Sequence, residues 1–325
     1  MSLRTSRSLR QALTVLATVA LLAGCAGNRT AVQQGTAPVQ GEPAKQSQAS
    51  TLMYWDAIDG GIQGDVFTGV KPIRFQRPTA VAARSNFVFI YDSGTYHLYR
   101  YDLAMRRLKD LKDLQGLVTG DVDSIYVMPD LSIYVADTYG GRILYLDPNG
   151  NVVRTLGDRL NLVHPVSVRV DQGRVLVADG SNDFILDFDE FGNIHRAIGS
   201  RGLDEGQFLN ITAMDVHQHK VYVTSRFGHR LQVLTDSGQF VKAIENSDRF
   251  PTAVAVDQDN RIYVGEYLDN TIKVYSNDGK LIDTVGGTGV GPGRFKRIAG
   301  LWVDQGFLYV ADSLNGRIQI MRIAN

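Results

Sequence analysis

The amino-acid sequence predicts an all-β protein: a six-bladed β-propeller of four-stranded antiparallel blades, its last blade closed by an N-terminal strand. Three observations predict it. One residue pattern returns about every 44 residues between Arg77 and Asn325. Each copy holds four short apolar runs separated by turn signals, the sequence form of a propeller blade. A longer motif, Gly199, Gly202, Gly206 and Phe208, returns as Gly286, Gly289, Gly293 and Phe295, two blades later. A pair of β-sandwiches is the competing architecture, and the fixed period disfavours it.

The elements before the repeats come first. Arg4, Arg7 and Arg10 form a basic start, and Ala12 to Leu22 is an apolar run of eleven residues. A bilayer span needs ~20, so the run has the proportions of a signal-peptide core. It ends in Leu22-Ala23-Gly24-Cys25, with the single cysteine of the chain directly after small residues. This resembles the lipobox of bacterial lipoproteins. The resemblance implies cleavage after residue 24, lipidation of Cys25 and a membrane anchor. Ala26 is not the Asp associated with inner-membrane retention, which points to the outer membrane facing the periplasm of a diderm host. Residues 25–50 are rich in Gln, Ala, Gly, Ser and Pro and carry no aromatic side chain. Such a stretch cannot offset the entropy of ordering and reads as a tether. Residues 51–76 read as an N-terminal segment carrying the closing strand, and 77–325 as the propeller.

Composition bounds the function. With 44% apolar residues, 14 Tyr and 13 Phe the chain is not wholly disordered, and one Cys permits no internal disulfide. Loss of Arg4, Arg7 and Arg10 leaves 31 basic residues against 34 acidic ones. That mature charge, near −3, opposes RNA or other nucleic acid as partner.

Each blade opens on an inner strand: Pro78 to Arg84, Val122 to Met128, Pro165 to Asp171, Ile211 to His217, Pro251 to Asp257 and Ile298 to Asp304. A second strand follows, such as Ile133-Tyr-Val135 or Leu308-Tyr-Val310. Two residues on stands Asp92, Asp137, Asp179, Ser225, Glu266 or Asp312. At a strand end such a carboxylate accepts backbone N–H groups of the adjoining loop, a structural role. After the third strand come turns with Gly150, Gly192, Gly238 or Gly279, where a hairpin needs positive φ. The sixth unit stops after its third strand, which would leave an unpaired edge. Ile73 to Gln76, preceded by Pro72, is expected to supply the missing outer strand.

Pro251 to Tyr275 and Leu301 to Ile320 carry Pro-x-x-Val-x-Val-Asp, Ile-Tyr-Val and Asn-x-Arg-Ile elements. These resemble the NHL repeat, and the likeness extends over about residues 77–323. It implies a six-bladed propeller and, with the lipobox, a bacterial NHL-repeat lipoprotein.

No Gly-x-Ser-x-Gly or His-Glu-x-x-His motif occurs. His217-x-His219 lies on a hairpin turn without a third ligand nearby in sequence, and reads as solvated. Val285 to Arg294 is Gly-rich but lacks a Gly-Lys-Ser/Thr ending, and reads as a crossover between blades. Propeller geometry puts the crossovers and the second-to-third-strand loops on one face. That face is expected to carry Arg77, Tyr96, His97, Tyr139, His164, Asn210, Arg226, His229, Tyr267, Asn270, Arg297 and Asn315. Its aromatic, amide and Arg side chains suit recognition of an envelope protein, peptide or glycan, without a cofactor. The alternative is a lactonase- or lyase-like enzyme with Ca or Zn in the central channel, held by Asp123, His164, Asn210 and Asp215. Arg169 and Asp215 hold equivalent positions in adjacent blades and are expected to pair.

Overall fold

A computed structural model describes residues 50–65, 69–228, 230–245 and 250–324. The leader, Cys25, most of the 25–50 stretch and His229 lie outside the described residues.

Six four-stranded antiparallel blades follow one another around a ring. Their inner strands are Pro78–Arg84, Val122–Val127, Pro165–Asp171, Gln207–His217, Pro251–Val256 and Ile298–Asp304. Each inner strand contacts the next, and the sixth returns to the first. A ring forms because a blade is apolar on both sides. The second strand Ile133–Asp137, for example, is buried along its whole length. Residues such as Phe89, Ile133, Val177, Tyr263 and Val310 are wholly enclosed between neighbouring blades. Burial of each such side chain is worth about 1.5–3 kcal/mol, gained only when the next blade is in place. Outer strands such as Val152–Leu156 are mostly exposed.

The repeated acids do what their positions demand. Asp92 accepts the N–H groups of Gln76, Arg77 and Gly94, and Asp179 those of Val163, His164, Ser181 and Asn182. Each thereby fastens the incoming crossover to its blade. The two long crossovers are also built alike. Gly206 N–H donates to Gln232 Oε1 and Gly293 N–H to Gln319 Oε1, each at 2.9 Å, with Phe208 and Phe295 buried beneath. Gly199 and Gly286 have φ of 79° and 107°, and a Cβ on either would strike the Phe ring below it at 2.3 or 2.7 Å.

The closing strand is not where the sequence pattern suggests. Leu52–Ile58 completes the sixth blade, pairing antiparallel with Arg317–Ile323 from Leu52↔Ile323 to Ile58↔Ile318. Gly69–Arg74, which contains Ile73, instead folds back on Gly60–Asp65 as a two-stranded hairpin against the outer edge of the first blade. A local hairpin closes a short loop at little entropic cost, and Pro72 gives it no ladder donor to offer a distant edge. Phe75 then leaves the hairpin and is buried against Tyr99. The upper face holds the crossovers into the inner strands and the second-to-third-strand loops. The lower face holds the remaining hairpin turns.

Candidate functional site

A cavity of about 400 Å³ occupies the upper half of the central channel, lined by all six inner strands. Its size falls within the range of small-ligand sites. Tyr139, His164, Asn210, Arg226, Arg297 and Asp123 line it. The edge of the Tyr139 ring meets the His164 ring, 5.3 Å between centroids. Arg226 lies over the Phe250 ring at 5.3 Å. Arg77 stands beside the cavity and is committed to Asp121 at 2.8 Å and to Ser93 Oγ at 2.8 Å.

Asn210 and Arg297 are 87 residues apart and hold the same place in their crossovers. Both are left-handed, with φ of 59° and 61°. Asn tolerates that conformation, whereas Arg pays about 1 kcal/mol for it. The Arg297 N–H is held by Asn270 Oδ1 at 2.5 Å. Strain of this kind at a cavity wall points to a side chain placed for a purpose.

Asp123 reaches into the cavity, where water can enter, although protein surrounds it closely. Burial raises its carboxyl above the ordinary range and Asp121 adds to the rise, while His164 and Arg297 oppose it. Burial pushes the Glu266 carboxyl, at the end of the fifth blade's second strand, up to about 7. One hydrogen bond from the Phe250 backbone works against that rise and Asp269 adds to it. Glu266 Oε1 has no hydrogen-bond partner.

The channel is closed below the cavity. Arg169 and Asp215 pair at 2.7 Å, as their equivalence predicts. Asp215 Oδ2 also accepts the Val256 N–H at 2.9 Å, and Arg169 donates to Ser124 Oγ and Val168 O. The guanidinium lies 5.3 Å from the centre of the Trp302 ring, which meets Tyr126 edge-on at 5.5 Å. These residues come from the second through the sixth blades, so the contacts cross the ring axis. The cavity is a cup open on the upper face.

Not every expected face residue joins it. His97 turns to Asp110 at 2.7 Å and stacks on Tyr99, because its strand position points it along the first blade. Tyr96 packs against the apolar core. The Asn270 amide is spent on Arg297 and Thr288, and the Asn315 amide on Asp312 and Gly289. Tyr267 is exposed on the rim. Of the alternative metal set, Asp123, His164 and Asn210 line the cup, but both Asp215 oxygens are occupied below it. The His-x-His turn holds a grouping that sequence spacing hid. His219 meets Asp171 at 3.2 Å and has Asp236 nearby, one ligand atom from each within 4.8 Å of the others. Those partners come from two other turns of the lower face.

The comparisons agree with this architecture. The profile of a family described as a 6-bladed beta-propeller matches residues 251–319. A streptogramin B lyase structure is similar with a TM-score of 0.57 at 11% identity, covering 78% of this chain and 95% of that one. A nidogen/laminin complex chain gives 0.54 at 18% identity, covering 66% and 83%. The computationally designed Ika8 protein gives 0.51 at 16%, covering 86% and 84%. No curated protein matches the chain in sequence. The chain is a six-bladed β-propeller. Likeness at such identities defines the fold and leaves the function to be argued from the site.

Proposed function

We propose that the chain is a non-catalytic recognition propeller of the bacterial cell envelope, NHL-like in its repeats and anchored through a lipidated Cys25. Its partner is an envelope peptide, protein or glycan that presents an acidic group to the cup. The observation carrying this reading is the balance of charge around the cup. Arg77 is committed to Asp121 and Arg169 to Asp215. Two cations, Arg226 and Arg297, remain to face a ligand beside the His164 ring, against the single carboxyl of Asp123. A concave wall closed below strengthens such contacts relative to those of a flat surface in water.

The test is binding of wild-type protein to arrayed acidic and neutral oligosaccharides and peptides, followed by titration of the best ligand. Arg226→Ala and Arg297→Ala should each weaken binding of an acidic ligand about tenfold or more, as for a charge-assisted hydrogen bond. Equal binding of neutral and acidic probes would remove this reading. Metabolic labelling with a fatty acid, lost in Cys25→Ser, tests the anchor separately. The adjacency of Asp123 and His164 favours the enzyme reading as second choice. It calls for bound metal and turnover of a lactone or lyase substrate, both lost in Asp123→Asn.

A further inference from the structure

We infer that the lower rim of the propeller, where the sixth and first blades meet, is a docking surface for an anionic phospholipid bilayer. The inference rests on the proposed anchor at Cys25 and goes beyond it, because an anchor alone leaves the orientation of the body free.

Five apolar side chains carry the argument. Met53 and Trp55 are exposed on the closing strand, and Trp55 lines a groove with Arg106 of the first blade. Met105 is exposed on the first blade's lower turn, beside Arg106, which pairs with Asp56. Ile62 and Val70 are exposed on one face of the hairpin, diagonal to each other across its two strands. Ile62 also shares a groove wall with Asp56 and Arg106, which ties the hairpin to the strip. Single exposed apolar residues need no explanation, but a run of this kind marks an interaction site. Trp is a side chain that settles at a membrane–water interface.

Charge narrows the partner. The acids of the strip are already engaged: Asp56 by Arg106, and Asp59 by Arg74. Asp102 accepts the N–H groups of its own turn at Ala104 and Met105. Among the described residues no acid lies within ion-pair distance of Lys71, Arg107, Lys109 or Arg322. Arg322 lies over the Trp55 ring at 5.8 Å, so a cation and an aromatic face present together. Free cations around an exposed aromatic ring fit phosphate headgroups above an apolar layer.

Position agrees. Leu52 pairs with Ile323 at the lower end of the sixth blade, so the chain arrives from the proposed anchor on that side. Residues 25–49, if uncoiled as proposed, reach about 28 Å root-mean-square. A patch held that close to the bilayer meets it at high effective concentration. The cup then opens away from the membrane.

The chain supplies its own probe, since it has two tryptophans: Trp55 is 59% exposed and Trp302 is 9% exposed. The lipidated protein is reconstituted into vesicles of phosphatidylcholine with or without phosphatidylglycerol. The Trp55 signal is the difference between wild type and Trp55→Phe. The expected result is a blue-shifted Trp55, quenched by bromine placed high on the acyl chains and shielded from acrylamide, in anionic vesicles. Lys71→Gln and Arg322→Gln should each lower the docked-to-undocked ratio about fivefold. Protein that floats with vesicles while Trp55 stays open to acrylamide overturns the docking surface and leaves the anchor standing. Failure to float overturns both. A blue shift without vesicles that grows with protein concentration assigns the strip to a second copy and also overturns the inference.

Discussion

Replacing Asp215 by alanine isolates the interaction that closes the channel. The Asp215 and Arg169 side chains are only 16% and 8% exposed. The change removes a 2.7 Å ion pair and leaves the Val256 N–H without its acceptor. Arg169 keeps Ser124, Val168 and the face of Trp302, which neutralise none of its charge. Breaking a buried pair from one side costs about 3–5 kcal/mol, of which the orphaned N–H accounts for about 1. Water can enter from the cup, so the lower figure of about 3 kcal/mol applies. For a domain of this size that is a fall in Tm of about 6–12 °C. Calorimetry and urea unfolding measure it. Arg169→Met combined with Asp215→Leu should recover most of the loss, because it removes the stranded charge with its partner. A single variant within about 1 kcal/mol of wild type, or a double variant no better than the single, would refute the reasoning.

Other expectations can be measured directly. Glu266 has its folded pKa raised from 4.5 to about 7. Its stabilising contribution is therefore complete below the unfolded value and is lost as pH rises through about 7, an effect of about 3 kcal/mol. Melts between pH 4 and 8 should show this slope in wild type and lack it in Glu266→Gln; parallel curves would sink the assignment. Arg297→Asn should raise stability by about 1 kcal/mol by relieving the left-handed backbone while weakening an acidic ligand. A destabilised variant would show that the Arg297 side chain supports the fold. Leu52→Ala should cost about 2–4 kcal/mol and speed amide exchange across Arg317–Ile323, and unchanged exchange there would count against the closing strand.

Much of the fold is legible in the sequence because a blade cannot bury its own two faces, so six copies of the pattern imply a ring. The Arg169–Asp215 pair is legible through strand register alone. The plug is not: Trp302 meets Tyr126 and Arg169 across the axis, between blades that are not sequence neighbours. The closing strand escapes the pattern for a physical reason. A bulge between Tyr54 and Asp56 interrupts the alternation of Leu52–Ile58, and the run stands outside the repeat frame. Asn270 and Asn315 fall in loops of the right face, and His97 opens a strand there. Such a position does not tell where a side chain points, and theirs point to Arg297, Asp312 and Asp110.

The pairing of Leu52 with Ile323 joins residues almost a full chain length apart. During synthesis Leu52–Ile58 leaves the ribosome before any of the six blades and is the last to find its place. Until Arg317–Ile323 has been made, no edge exists for it, and contacts of such sequence separation form slowly. A chain lacking Arg317–Ile323 would keep its six inner strands but would leave the second strand of the sixth blade as an unpaired edge and the closing strand without a partner. Arg317–Ile323 thus works as the clasp of the sixth blade, holding the strand before it and the closing strand together.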